Sequence, residues 1–290
     1  MEFFNIVIQG ISLSLIMKFN KIKFNTNNHW INNIPPDDYR QSIENTFTKE
    51  WIDKFHNIYE TIEINDKFEL DWMKKASEIS MQTGIFTEIY EDELELFLLK
   101  NSHKYNNIFD QTKYFVRTEN VSMKYGQHKE GPYTNLKTII ESLVSSIQGH
   151  TPIYSDTTKI KLYLFPWIEI QPKKEFRVFV YKKKITAISQ QNLYNILFEK
   201  DVYYDKIEEE INNYVKIIVN HFYQEIINKI NLESFTYDFA LIDDDEPYFI
   251  EPNAFGKEYA AGSALFGWIN DEDILYQDCE NPTIYFRYTI

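Results

Sequence analysis

The sequence predicts an α+β fold with antiparallel sheets, and three observations support it. From residue 41 onward, apolar runs of strand length alternate with amphipathic segments of helix length. Neighbouring strand-like runs are joined by short polar turns, which is typical of hairpins. Residues 205–231 place isoleucine, valine and aromatic residues at helical spacing throughout. Because hairpin-linked strands pair antiparallel, these observations favour α+β over a parallel α/β fold.

The elements follow one another in a clear order. The first half predicts helices over 48–59, 69–84 and 134–147, strands over 60–64 and 112–120, and a solvated acidic helix face over 88–97. The double proline at 35–36 stops regular structure, so residues 1–40 are predicted to be an extension ahead of the main fold. The second half predicts a strand at 159–170, a hairpin at 174–189, the long helix at 205–231 and a last hairpin at 235–253.

Composition limits the classes of function. The chain has 290 residues, 43% of them hydrophobic, which is enough to bury a sizeable core. The formal net charge of −14 disfavours non-specific binding of nucleic acid, because neutralising phosphates requires lysine and arginine. The single cysteine, Cys279, excludes an intramolecular disulfide and fits a reducing compartment, so we expect a cytoplasmic protein. The six histidines show no zinc-ligand spacing.

The N-terminus is apolar, but it does not resemble a membrane segment. It carries an acid at Glu2 in place of a basic region, and polar residues interrupt the apolar run at Asn5, Gln9, Ser12 and Ser14. We therefore expect neither a signal peptide nor a spanning helix, and no membrane partner.

The last hairpin brings carboxylates together. If its turn lies at Asp243–Glu246, antiparallel pairing sets Asp238 opposite Glu251. Asn253 then falls opposite Thr236, on the same face as Glu251, because side chains alternate with period 2. Two carboxylates and an amide oxygen would thus share one patch. A slip of one residue in the register would remove this arrangement.

Three interpretations of the carboxylate pair remain open. Opposed like charges destabilise a sheet, so a cation, a shared proton or solvent must offset them. Carboxylates with substrate phosphates are what Mg²⁺ binds, which indicates a metal–nucleotide site. A shared-proton pair would instead suggest a glycosidase-like dyad, and an exposed pair would be inert.

Basic residues that could accompany such a site are ambiguous individually. Arg177 lies within an apolar strand, where it is either solvated at an edge or buried with a partner such as phosphate or carboxylate. Arg117 and Lys124 flank a polar loop.

Taken in order, these motifs resemble the cell division cycle protein 123 family, eukaryotic proteins with an ATP-grasp fold. The resemblance covers about residues 43–275 and includes "YFVRTENVSMK", "LYLFPWIEIQPKKEFRVFV", "KITAISQQN" and "FTYDFALIDDDEPYFIEPNAFG". It implies two lobes with antiparallel sheets that enclose ATP and Mg²⁺. The lobes would be residues 41–160 and 161–290, the second containing the metal-binding hairpin.

The resemblance also assigns residues to the nucleotide site. The magnesium-binding acids fall on Asp238 and Glu251, with Asn253 contacting metal or phosphate. The phosphate-binding side chains match Arg117, Ser122, Lys124 and Arg177. The segment beside the adenine matches Tyr163, Leu164, Phe165 and Trp167.

The sequence departs from the family pattern at four places. Arg117 stands for a lysine, Glu251 for an aspartate and Gln191 for an arginine, and residues 257–263 are additional. The family's role implies an ATP-dependent protein that assembles translation initiation factor two by binding its gamma subunit. The alternative is an active ATP-grasp ligase, which phosphorylates a carboxylate and joins the acyl phosphate to an amine or another nucleophile.

Overall fold

A computed structural model describes residues 2–8, 11–22, 36–147, 150–193, 204–259 and 261–289. The strands are β1 Glu2–Ile8, β2 Ile11–Ile22, β3 Glu60–Ile64, β4 Tyr114–Thr118, β5 Ile160–Pro166, β6 Glu175–Tyr181, β7 Lys184–Gln190, β8 Phe235–Ile242, β9 Glu246–Ala254 and β10 Thr283–Thr289. The helices are α1 Tyr39–Glu44, α2 Thr48–Phe55, α3 Lys67–Ser80, α4 Glu91–Tyr105, α5 Leu136–Ser145, α6 Tyr204–His221 and α7 Glu272–Leu275. The predicted α+β class is confirmed.

The chain divides into two compact units. Unit 1 comprises Met1–Thr46 and Glu169–Ile290, and unit 2 comprises Phe47–Ile168. The sequence-based boundary at 160/161 falls at the start of β5, which pairs with β3 and β4 and therefore lies in unit 2. Of the predicted extension, residues 1, 9–10 and 23–35 lie outside the described residues. Residues 2–8 and 11–22 form β1 and β2 in the sheet of unit 1, and α1 begins at Tyr39.

Unit 1 contains a seven-stranded sheet in the order β1-β2-β10-β7-β6-β8-β9. The two predicted hairpins, β6–β7 and β8–β9, are antiparallel, and β6 pairs with β8 in the same sense. The last strand, β10, adds parallel pairings to both β2 and β7, which makes the sheet mixed. Parallel neighbours need a long connection, and β10 follows β7 by more than ninety residues.

Different elements pack against the two faces of this sheet. On the helix face, Phe176 packs against Tyr214 of α6 with ring centroids 5.5 Å apart, and Tyr237 stacks on Phe222 just beyond α6. The opposite face carries Phe179, which contacts Phe266 at 5.3 Å and Trp268 at 5.5 Å. Because Phe266 and Trp268 belong to the segment after β9, we call this side the loop face.

Unit 2 has a three-stranded sheet in the order β3-β5-β4. One face is buried against α3, α4 and α5, with Leu162 and Leu164 of β5 inside a single hydrophobic core. Asp66 begins α3 by accepting hydrogen bonds from the backbone N–H groups of Phe68 and Glu69. Within the described residues, no helix is both long and apolar enough to cross a membrane.

Candidate functional site

The last hairpin has the register that the carboxylate argument requires. Asp238 lies opposite Glu251, and Thr236 lies opposite Asn253. The predicted pairing is therefore confirmed at the positions that matter for the site. Asp238 is 3% exposed and Glu251 is partly buried, so a freely solvated pair does not describe this structure.

The turn of the same hairpin is tighter than predicted. The expected pairing of Ile242 with Pro247 is wrong, because Ile242 opposes Glu246. Asp244 and Asp245 adopt positive φ values of 52° and 63°, which closes the turn within three residues. A β-bulge then inserts one extra residue between Phe249 and Glu251. The bulge offsets the shorter turn, and this is why Asp238 and Glu251 still face each other.

A row of polar residues crosses the loop face of unit 1. Arg287 on β10 pairs with Ser189 on β7, Ser189 with Arg177 on β6, and Arg177 with Asp238 on β8. Glu251 on β9 ends the row. Five neighbouring strands thus each place one polar residue at the same level of the sheet. Sequence reasoning missed this row, since it depends on which strands become neighbours.

The centre of the row is a buried ion pair. Arg177 donates from Nε to Oδ1 of Asp238 and from Nη2 to Oδ2, each at 2.7 Å. The two side chains are 9% and 4% exposed. Burial, the largest single effect, disfavours a charged guanidinium, but the charge and hydrogen bonds of Asp238 together with the charges of Glu251 and Glu175 outweigh it, and the pKa of Arg177 is raised. Arg177 is therefore a buried cation with a carboxylate partner, which is one of the two alternatives predicted for it.

This arrangement fits a divalent cation. Asp238 binds Arg177 and faces the second carboxylate of Glu251, and each carboxylate oxygen can accept more than one hydrogen bond or metal contact. Asn253 adds an amide whose buried Nδ2 has no hydrogen-bond partner in the described part of the chain. Asp238, Glu251 and Asn253 together form the set of hard oxygen ligands that Mg²⁺ accepts beside phosphate. Among the described residues, no group of three or more His, Cys, Asp or Glu could hold a metal ion, so this candidate site has two carboxylates and an amide.

The additional residues near 257–263 lie against this site. Arg177 Nη1 donates to the carbonyl of Gly262 at 2.7 Å, and a Cβ atom at Gly262 would lie 2.6 Å from that nitrogen. The backbone N–H of Leu265 donates to Ser189 Oγ at 3.0 Å. Gln191 reaches Asp238 Oδ2 at 3.4 Å, where the family pattern has an arginine. The glycine in "AAGSA" was the sequence signal for this close approach, and Ala260 lies outside the described residues.

In unit 2, β4 and the loop after it bring two predicted phosphate contacts together. Arg117 forms an isolated bridge with Ser122, and both are buried. Arg117 donates from Nε to Thr48 Oγ1 at 3.2 Å and lies over the Trp51 ring at 5.3 Å. Lys124 is exposed, with its ammonium 5.7 Å from the Tyr125 ring centroid.

Strand alternation divides the predicted adenine segment. Leu164 belongs to the core of unit 2, so its side chain faces away from any ligand on the other side of the sheet. Tyr163 and Phe165 point to that other side, where both contact the ring of Tyr59. Burial raises the pKa of Tyr163 to about 12, with smaller contributions from Glu119 and other nearby groups. Just after β5, the backbone N–H of Trp167 donates to Lys113.

The structure therefore gathers the predicted residues in two groups. Asp238, Glu251, Asn253 and Arg177 lie together on unit 1. On unit 2, Arg117 pairs across the sheet with Tyr163. The interactions that sequence reasoning did not identify are those of Ser189 and Gly262, which hold the segment after β9 against the first group.

Comparison with known proteins gives concordant matches. The D123 family model matches residues 135–289. A protein from Xenopus laevis named translation initiation factor eIF2 assembly protein is 31% identical over 144 residues, covering 45% of this chain and 38% of its own length. A protein of the same name from Lodderomyces elongisporus is 30% identical over 133 residues, covering 44% and 31% respectively. The matches thus span less than half the length of these curated relatives.

Among solved structures, Cdc123 from Schizosaccharomyces pombe superposes with a TM-score of 0.57 at 15% sequence identity. The match covers 86% of this chain and 97% of that one. At this identity the likeness concerns the fold, and it extends across both units.

Proposed function

The chain belongs to the D123 family, that of Cdc123, and on this premise we propose that it binds ATP with Mg²⁺ and assists the assembly of translation initiation factor two. The observation that carries the proposal is the opposition of Asp238 and Glu251 across β8 and β9, with the buried Arg177 of the neighbouring strand β6 bound to Asp238. Two carboxylates and an amide gathered on one hairpin suit a divalent cation. The names of the curated relatives support the assembly role.

Each residue has a specific task in this proposal. Asp238, Glu251 and the amide of Asn253 would hold Mg²⁺, which neutralises phosphate charge when bound. Arg177 orients Asp238 through two hydrogen bonds and would contact phosphate with the same guanidinium. On unit 2, Arg117, Ser122 and Lys124 are the candidates for phosphate, and Tyr163, Phe165 and Trp167 for the base. Because the side chain of Leu164 is in the core, it would contribute through its backbone alone.

Isothermal titration calorimetry tests nucleotide binding. The wild-type chain should bind ATP with Mg²⁺ far more tightly than ATP with EDTA. Asp238→Asn should weaken the magnesium-dependent binding about a hundredfold, because it removes a charged ligand. Asp243→Asn is the matched control, since it makes the same change at an exposed turn position of the same hairpin. Equal weakening in both variants, or no binding by the wild type, would refute the metal site.

A second experiment tests the protein partner. The purified gamma subunit of translation initiation factor two should be retained by the immobilised chain, and ATP with Mg²⁺ should strengthen retention. Absence of retention while nucleotide binding persists would contradict the assembly role and leave the metal site intact. Release of ADP only when a carboxylate and an amine are supplied would instead support a ligase.

A further inference from the structure

The outward side of α4 in unit 2 carries large apolar side chains in solvent. Leu96 is 65% exposed and Leu99 is 77% exposed, and Ile89, in the 3₁₀ turn just before α4, is 73% exposed. The inward side of the same helix is formed by Leu94 and Phe97, which are buried in the core. The exposed leucines therefore do not contribute to the packing of unit 2.

These three residues form one stripe. Tyr90 and Phe97 both contact the ring of Trp72, at 6.5 and 6.4 Å between centroids, so they lie on the same side of the segment. Ile89 is the residue before Tyr90, and Leu96 is the residue before Phe97. Because Tyr90 and Phe97 lie on the same side, Ile89 and Leu96 also share a side, seven residues apart. Leu99 follows Leu96 by three residues and is its neighbour on the helix surface. Spacings of seven and three are those of a seam that packs against another helix.

The stripe has acidic borders. Glu88, Asp92 and Glu95 are exposed beside it, and among the described residues none of them takes part in an ion pair. Nearby bases are already engaged. Lys100 binds Asp66 and Glu69, both at 2.9 Å, and Lys137 binds Glu91 at 2.6 Å. The acids at the start of α4 also suit the helix dipole, but the dipole does not account for the leucines between and beyond them.

We propose that this face, defined by Ile89, Leu96 and Leu99 with Glu88, Asp92 and Glu95, binds a basic amphipathic helix of a partner protein. An apolar stripe on that helix would cover the leucines, and lysine or arginine on its flanks would meet the carboxylates. A second copy of this chain would set the same acids against each other, and an anionic membrane surface would be repelled. Charge complementarity therefore favours a basic partner. This inference does not depend on nucleotide binding.

Three labelled peptides can test the surface by fluorescence anisotropy with the full chain. The first is a helical peptide with leucine in heptad positions and lysine elsewhere, the second has the same composition in scrambled order, and the third replaces lysine with glutamate. We expect the first to bind at least about tenfold more tightly than the other two. Added salt should weaken it.

Variants of the chain locate the binding. Leu96→Gln with Leu99→Gln should weaken binding of the first peptide about tenfold or more, because two apolar contacts are lost. A matched control changes two exposed apolar residues elsewhere in unit 2, Ile58→Gln with Tyr154→Gln, and should leave binding unchanged. Circular dichroism checks that both variants stay folded.

Several results would overturn the proposal. Equal affinity for the ordered and scrambled peptides would mean attraction by charge alone. Unchanged affinity in the Leu96 and Leu99 double variant, or no binding of any peptide, would exclude the face as the docking site. A dimer in light scattering that disappears in that double variant would assign the face to a second copy of the chain.

Discussion

Two arginine–aspartate pairs lie on the loop face of unit 1, one buried and one partly buried, and they differ in their surroundings. Arg287 binds Asp271 through both Nη atoms at 2.6 Å, and Arg177 binds Asp238 through Nε and Nη2 at 2.7 Å. Both arginines also hold a backbone carbonyl of the segment after β9. The geometry is similar, so geometry alone does not separate a structural pair from a functional one.

The charged groups around the two arginine–aspartate pairs do differ. Asp271 also accepts a hydrogen bond from the backbone N–H of Gly267, and Arg287 lies over the Phe266 ring at 4.2 Å, so the pair is embedded in its own loop. Asp238 instead faces a second carboxylate, Glu251, across the sheet. The Arg287 pair serves the fold, whereas in the Arg177 pair the aspartate lies directly opposite a second carboxylate. A bound cation would relieve the repulsion between Asp238 and Glu251.

The largest expected effect comes from removing each arginine. Arg177→Met should lower the free energy of unfolding by about 4 kcal/mol, because the buried Asp238 loses its cation and remains opposite Glu251. Arg287→Met should lower it by about 3 kcal/mol, because one carboxylate is left unpaired. Urea denaturation with and without Mg²⁺ distinguishes them, since Mg²⁺ should restore part of the loss at Arg177 only. An equal response of both variants to Mg²⁺ would show that the pairs do not differ in this way.

The aspartates should show the complementary difference. Asp271→Asn should cost about 3 kcal/mol of unfolding free energy, because Arg287 loses its charged partner in the described structure. Asp238→Asn should cost only about 1 kcal/mol in the absence of metal, because Glu251 still offsets the charge of Arg177. Thermal and urea unfolding of the two variants under identical conditions would check this. A larger loss at Asp238 would mean that Glu251 does not contribute.

The contrast also shows what sequence reasoning could reach. The carboxylate pair was predictable because it lies within one hairpin, where a short turn and period-2 alternation limit the register. Even there, the prediction succeeded through two compensating features, a tighter turn and a bulge at Ile250. The bulge has no distinct signal in "YFIEPN".

Long-range neighbours were out of reach. Arg177 was identified as either solvated or paired, but its partner Asp238 lies 61 residues away, and local patterns do not determine which strands become adjacent. The same holds for β10, which lies between β2 and β7 in the sheet and pairs parallel with both. In unit 2, the assignment of Leu164 to the adenine segment followed sequence position, whereas strand alternation turns its side chain into the core.

A smaller effect is expected at Thr236, next to the charged row. Its buried hydroxyl has no hydrogen-bond partner in the described part of the chain. Thr236→Val keeps the shape and removes the polar atom, so it should raise the free energy of unfolding by about 1 kcal/mol. Thr236→Ser is the control, because it retains the hydroxyl and should bring no such gain. A loss of stability in the valine variant would mean that the hydroxyl has a partner in solution, with the amide of Asn253 directly opposite as the candidate.

The smallest change in the free energy of unfolding should come from Glu251. The sign of that change distinguishes a metal-binding carboxylate from a structural one. Glu251→Gln removes a like charge opposite Asp238, so without metal it should raise the free energy of unfolding by about 0.5 kcal/mol. The same change should weaken magnesium-dependent ATP binding about tenfold, because a charged ligand becomes neutral. Glu246→Gln, at the exposed start of the same strand, is the control and should alter neither quantity. A variant that is both less stable and unchanged in metal binding would place Glu251 with the structural charges, as Asp271 is. A residue that binds a cation at the expense of fold stability should behave in this way. Its neutral variant should be more stable to unfolding but should bind magnesium and ATP more weakly.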